Sequence, residues 1–175
     1  VGTTTITWKV KDINNNDAIS KTQTIIVTDN ELPVITHNGD KAVNNDSGKC
    51  GANLTVSATA TDNCPVGAVS GTRSDGKGLT DLYPVGTTTI TWKVKDINNN
   101  DATSQTQTIV VTDNEVPVIT CPTPLASYDT DAGQCNATLN FAATATDNCN
   151  SSPIITYNIG GSAISFPYDF PIGYT

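Results

Sequence analysis

The chain has 175 residues, 37% hydrophobic and 15% charged, with 9 Lys and Arg against 17 Asp and Glu for a net charge of −8. An acidic chain without a basic cluster is a poor partner for nucleic acid or an anionic membrane surface, and no apolar run approaches the roughly 18 residues of a membrane span. Thr, Asn, Ser, Gly and Asp dominate and Met is absent, a composition that suits strands and tight turns and serves helices poorly.

In chain order, residues 5–12 alternate, with Ile6, Trp8 and Val10 on one face and Thr5, Thr7, Lys9 and Lys11 on the other. This predicts a strand with one buried face. DINNND over residues 12–17 predicts a turn; its alternating carboxylates and amides also read as a calcium loop, but it lacks the central Gly and distal Glu of an EF-hand. Residues 22–28 resume with Ile25 and Val27 inward, completing an antiparallel hairpin. TDNELPVI follows over residues 28–35. Pro33 forces an extended chain and cannot join a central ladder, so one domain hands over to the next here. With no Gly/Ser spacer, this short linker predicts limited relative orientation and a semi-rigid rod. A first strand is expected over residues 34–43 and a turn over 44–48. Residues 50–64 predict another half-buried strand, in which Leu54, Val56, Ala58 and Ala60 alternate with Thr55, Ser57, Thr59 and Thr61 before a DNC corner. Residues 65–83 are Gly-rich, with a turn at 74–78.

From Val85 the chain repeats itself. Residues 85–120 laid on 1–36 at an offset of 84 differ only at Ile19/Thr103, Lys21/Gln105, Ile26/Val110 and Leu32/Val116. A fixed period marks one structural unit used again. Residues 135–149 align without gaps on 50–64, residues 129–133 take the place of the 44–48 turn, and 171–175 match 84–88. The sequence therefore reads as a cut from a longer protein: the C-terminal part of one repeat (1–29), a complete repeat (30–113) and the N-terminal part of the next (114–175). Between Cys149 and residue 170 the copies diverge, and 150–169 carry Ile154, Ile155, Tyr157, Ile164 and Phe166. A surface tuned to one partner would lie in this varying segment, although drift in exposed loops leaves the same pattern. About seven short strands per repeat predict an all-β, immunoglobulin-like sandwich. Leu54, Val56, Ile90, Trp92, Val94, Ile109 and Val111 are its expected core, and each domain adds roughly 35–40 Å of length.

PVGTTTITWKVKD, the Asn-rich turn, IVVTDNEVPVITCP, AGQC and ATATDNC together resemble the hyalin repeat (HYR) family, over the whole chain. The resemblance implies a variant immunoglobulin-like fold and tandem arrays in extracellular proteins, notably very long surface adhesins of Bacteroidota-type gliding bacteria and extracellular-matrix proteins. It implies adhesion or structural display and no catalytic activity. The family pattern has four cysteines, in ITCP, GxC, DNC and the last strand. In the complete repeat here the outer two are His37 and Ser104. Their joint loss implies that they pair with each other, leaving Cys50 with Cys64 and, likewise, Cys135 with Cys149. Cys121 then has no partner within the sequence. A straight strand of nine or so residues would hold Cys50 and Cys64 roughly 30 Å apart, whereas disulfide Cα atoms lie within about 7 Å. Either the strand bends back or these thiols stay reduced.

His37 is the only histidine, so no triad, zinc site or acid/base pair can be built on it. There is no Gly-rich phosphate loop, and an enzyme is not expected. No cofactor is required. Calcium is the one ligand with a geometric basis. In such a sandwich the linker, the second-to-third strand corner and the last hairpin turn lie at one pole, where Asp29, Asn30, Glu31, Asp62, Asp96 and Asp101 would offer hard oxygen ligands. Asp113, Asn114, Glu115 and Asp147 are their counterparts in the next repeat. Asp and Asn in turns also serve local hydrogen bonding alone. Asn45, Asn53, Asn136 and Asn150 begin N-x-S/T sequons, expected by chance in so Asn- and Thr-rich a chain. The expected function is a stalk or fibre acting in cell adhesion or gliding. Expected partners are a cell-surface or substratum polysaccharide or protein and other copies of the chain in a filament, with hairpin exchange between similar neighbours as a hazard. The rival readings are a binding module using residues 65–83, whose one aromatic is Tyr83, and an appendage to a secreted enzyme.

Overall fold

Alternating β-branched and polar residues form strands throughout the chain, and the computed structural model, which describes residues 1–123 and 127–173, contains no helix among them. Tyr174 and Thr175, which end the sequence match to 84–88, lie outside the described residues. The strands are β1 (Gly2–Trp8), β2 (Lys21–Val27), β3 (Val34–His37), β4 (Lys41–Asn44), β5 (Gly51–Ala52), β6 (Ala58–Thr61), β7 (Ser70–Arg73), β8 (Tyr83–Pro84), β9 (Gly86–Lys93) and β10 (Gln105–Thr112). They continue as β11 (Val118–Thr120), β12 (Asn136–Leu139), β13 (Thr144–Thr146), β14 (Tyr157–Ile159), β15 (Ser162–Ile164) and β16 (Tyr168–Pro171). One four-stranded sheet has the order β4-β10-β9-β7, and the remaining strands pair in twos: β1-β2, β3-β6, β5-β8, β11-β13, β12-β16 and β14-β15. The architecture is all-β and consistent with immunoglobulin-like sandwiches. By contact the chain falls into two units, one of residues 1–41, 54–81 and 88–109, the other of 42–53, 82–87 and 110–175.

Two expected strands are broken, each for a local reason. Residues 34–43 divide into β3, which pairs with β6, and β4, which joins β10. Gly39 between them has φ +84°, a left-handed conformation that glycine adopts without a side-chain clash. The Asn38 carboxamide takes over the ladder at the break, donating to Thr55 O and accepting from Ser57 N. Residues 50–64 divide in the same way into β5, on β8, and β6, on β3. In the gap Asp46 accepts from both the backbone and the side chain of Asn53, at 3.1 and 2.6 Å. Period-2 alternation survives such a change of sheet, so the pattern alone does not reveal it.

The two repeats share their register. Val34, Ile35 and Thr36 face Thr61, Ala60 and Thr59 as Val118, Ile119 and Thr120 face Thr146, Ala145 and Thr144. Ala52 faces Tyr83 as Ala137 faces Phe170. Of the expected core, Ile90, Trp92, Val94, Ile109 and Val111 are buried, joined by Ile35, Ala52 and Tyr83. Leu54 and Val56 are half-buried. Tyr83 is 0% exposed, so it offers no aromatic surface to a ligand. Trp92 sits so close to β7 that a Cβ on Gly71 would lie 2.6 Å from its ring. Gly71→Val is therefore expected to destabilise the fold by about 1–3 kcal/mol, the usual cost of overpacking. An unchanged urea midpoint would show that the indole has room to move.

Candidate metal centre

The turn sequence DINNND folds around its first residue. Asp96 Oδ1 accepts from the backbone N–H groups of Asn98 and Asn100, both at 2.8 Å, and Oδ2 accepts from the Asn100 carboxamide at 2.7 Å. Asn99 carries the reversal at φ +70°, a conformation Asn tolerates better than other side chains. Asp12 organises residues 12–17 by the same three bonds, with Asn15 at φ 66°. The segment is thus a side-chain-nucleated turn with no EF-hand geometry.

This turn also approaches the linker. Asn98 Nδ2 donates to Asp29 Oδ2 at 2.8 Å, and Asn100 Nδ2 donates to Asp29 O. The DNC corner arrives from the end of β6, where Asp62 Oδ1 accepts from Cys64 N at 3.0 Å. One carboxylate oxygen each of Asp29, Asp62 and Asp96 then lie within 4.8 Å of one another. Asp62 Oδ2 is buried without a hydrogen-bond partner, an arrangement that is costly unless something positive or protic reaches it. The Cys64 thiol donates to Asp29 and, with the Glu31 N–H and the Asn98 amide, holds that carboxyl below its ordinary value of 3.8. The same contact, with burial and the charge of Asp29, pushes the thiol above its ordinary value.

Of the six residues expected at this pole, three assemble. Asp101 is drawn off by the hairpin register: it bridges to Lys95, and its carboxylate pairs with Lys95 Nζ at 3.1 Å, largely in solvent. Glu31 and Asn30 are exposed. In the next repeat Asp113 and Asp147 cap their own turns, accepting from Glu115 N and from Cys149 N and Asn150 N. No third acidic group joins them among the described residues.

Glu115 and Asn114 are occupied otherwise. Both Glu115 oxygens accept from Gly48 N, at 2.8 and 3.0 Å, and Asn114 N donates to Asn45 Oδ1 at 3.1 Å. Asn148 Nδ2 donates to Lys49 O at 2.8 Å. The linker and DNC corner of one repeat thereby close on the NNDSGKC turn of the repeat before it. The same contact corrects the expected disulfides. Cys50 is bonded to Cys149, with Cα atoms 4.7 Å apart, while Cys64, Cys135 and Cys121 are thiols. Cys50 and Cys64 cannot pair because the strand between them changes sheet: Cys50 adjoins β5 on β8, and Cys64 follows β6 on β3. Cys135 and Cys149 are separated likewise, by β12 on β16 and β13 on β11. Sequence reasoning missed the pair because it sought partners within one repeat.

A second unforeseen feature is an apolar cleft of about 560 Å³ lined by Ile119, Tyr128, Phe141, Tyr157, Phe166 and Phe170, among others. Ile119 is 57% exposed, whereas its counterpart Ile35 is 6% exposed in the repeat where β9 and β10 supply core residues.

No family model matches the chain, and no solved structure matches it. It is similar to Hyalin of Strongylocentrotus purpuratus, 30% identical over 181 residues that take in 100% of this chain and 14% of that protein. It is also similar to Hyalin of Lytechinus variegatus, 28% identical over 187 residues covering 99% of this chain and 35% of that protein. The chain thus spans about one-seventh and one-third of these relatives, and the similarity runs along its whole length.

Proposed function

We propose that the chain is a non-enzymatic structural repeat of an extracellular protein, adding length to a semi-rigid stalk that serves adhesion. The observation that carries this reading is the closed junction. The linker and corner of one repeat are tied to the preceding turn by three hydrogen-bonded contacts and a disulfide, and such a bond belongs to an oxidising, extracellular setting. The likeness to Hyalin supports a repeat module of this type. The resemblance to gliding-cell adhesins names one setting for it. In small-angle scattering of arrays of three and five whole repeats, the maximum dimension is expected to grow by roughly 35–40 Å per repeat at constant cross-section. A dimension that grows as a flexible coil would contradict the stalk and favour independent binding modules.

Calcium at Asp29, Asp62 and Asp96 belongs to the same proposal, favoured by the unpartnered Asp62 oxygen. These carboxylates would hold the ion by hard oxygen ligation and cross-link linker, corner and turn. Asp62→Asn keeps the oxygen that caps Cys64 N and removes one charge. In chelator it is expected to melt no lower than the parent, because like charges no longer crowd. Calcium at 100 times Kd adds about 2.7 kcal/mol to the parent alone. Equal melting of the parent with calcium and with chelator would remove the metal from the account.

A further inference from the structure

The bond between Cys50 and Cys149 joins two different positions of the repeat. Cys50 closes the turn before β5 and has Cys135 as its counterpart; Cys149 closes the corner after β13 and has Cys64 as its counterpart. The surrounding ties are built largely from backbone groups of the turn, Gly48 N and Lys49 O. The counterpart turn has the same form. Asp131 N donates to Asn136 O and Gln134 N to Asp131 O, as Asp46 N donates to Gly51 O and Lys49 N to Asp46 O. Gly133 at φ +77° matches Gly48 at +70°. On the other side, Glu31 and Asn63 match Glu115 and Asn148 and are exposed. The turn around Cys135 is thus built to receive a following corner, and the corner around Cys64 to receive a preceding turn.

We propose that, wherever this repeat runs in tandem, each turn cysteine is bonded to the corner cysteine of the next repeat. Cys64 and Cys135 are then the open halves of a continuous disulfide ladder. The proposal rests on the reading of the chain as a tandem stalk. Cys121, whose counterpart is His37, takes no part. Each rung forms by exchange with a small disulfide such as oxidised glutathione. One thiolate attacks its S–S bond and expels a glutathione thiolate; the second cysteine thiolate then displaces the other, so the two cysteines lose two electrons and two protons and the glutathione disulfide is reduced to two thiols. Cys135, exposed, attacks first. Cys64, half-buried at its corner, completes the rung.

The ladder has a mechanical consequence that follows from connectivity alone. A rung spans a sequence separation of 99, which exceeds one period, so successive rungs overlap. A pulling force passes through a rung to the corner cysteine, back along the chain to the turn cysteine, and through the next rung. Only the segment between Cys50 and Cys64, or between Cys135 and Cys149, lies in that path. At roughly 3.5 Å per residue, about 14 residues can be drawn out to about 50 Å in each repeat, against about 290 Å for a whole period of about 84. The folded repeat is itself roughly 35–40 Å long. The array stays almost inextensible even where its repeats unfold.

The test uses the whole chain doubled in register, residues 1–175 followed directly by 5–175, refolded in glutathione buffer. A mass map of the unreduced digest is expected to find Cys50–Cys149 in both copies and Cys135 of the first copy bonded to Cys64 of the second. Held by its ends in an optical trap, the oxidised protein is expected to reach about one-third of the length it reaches after reduction, roughly 100 residues of about 350 being free to extend. Cys121→Ser changes neither result. Extension to the length of about 150 residues or more without reductant, with Cys135 of the first copy and Cys64 of the second recovered as thiols from a protein that still unfolds in discrete steps, would overturn the ladder and leave the stalk standing. Featureless extension under both conditions would overturn both.

Discussion

Replacing Trp92 by Ala is expected to cost about 3–5 kcal/mol, the usual range for deleting a buried Trp, whereas the same change at Trp8 costs less than about 0.5 kcal/mol. The two residues stand in identical octapeptides, GTTTITWK, and make the same bond, indole Nε1 donating to Gln107 Oε1 at 3.1 Å and to Gln23 Oε1 at 3.2 Å. What differs is the face opposite. Trp92 is 3% exposed, packed on Gly71 and surrounded by a core that includes Ile90 and Ile109; Trp8 is 58% exposed on a hairpin whose apolar side is bare. The experiment therefore isolates tertiary burial from strand propensity, which is the same at both sites. Urea midpoints of the two variants measure it. Equal losses would mean that β1 and β2 are covered in solution by another copy of the chain.

Arg73→Met is expected to cost about 3 kcal/mol. The guanidinium is fully buried, forks onto Asp75, and donates from Nη1 to Gly78 O at 2.9 Å and to Asp81 O at 2.7 Å. Met fills the volume of the stem but takes the Arg73 donor from Asp81 O and leaves Gly78 O with the Asp81 N–H alone, and each lost bond to the charged group costs about 1–3 kcal/mol. The residue also sets an acid limit. Its hydrogen bonds hold the Asp75 carboxyl below the ordinary value of 3.8, so the stability from the pair is complete above that pH and is lost as pH falls through the lower folded value. The difference between parent and variant in denaturant titrations should be constant near neutrality and shrink below pH 3.8. A difference that persists unchanged into strong acid would show that packing, with no contribution from the ion pair, sets the cost.

Much of this fold is legible because alternation is a strong signal in a Thr-rich chain. The hairpin strands β9 and β10 and the buried Ile90, Trp92, Val94, Ile109 and Val111 follow from period 2 alone. The breaks after His37 and after Ala52 do not, because alternation continues through a change of sheet and only the side chains of Asn38 and Asp46 mark it. Tyr83 was illegible for a related reason: one aromatic in a Gly-rich segment has no period, and the strand that holds it pairs with β5 over only two residues. At the acidic pole, Asp29, Asp62 and Asp96 can be named from topology, since linker, corner and turn share an end of the sandwich. Asp101 cannot be excluded that way, because its loss to Lys95 depends on the last rung of the hairpin ladder. The cysteines mislead most, since a pairing search confined to one repeat omits the partner that geometry supplies from the next.

The central claim is that successive repeats are locked to one another at the turn and corner. It is tested most directly by a non-reduced digest of the 175-residue chain, folded in oxidising buffer and alkylated before cleavage. The account predicts a linked peptide pair containing Cys50 and Cys149, with alkylated thiols at Cys64, Cys121 and Cys135. A Cys50–Cys64 or Cys135–Cys149 link would contradict it, returning each disulfide to its own repeat and leaving the junction to hydrogen bonds alone.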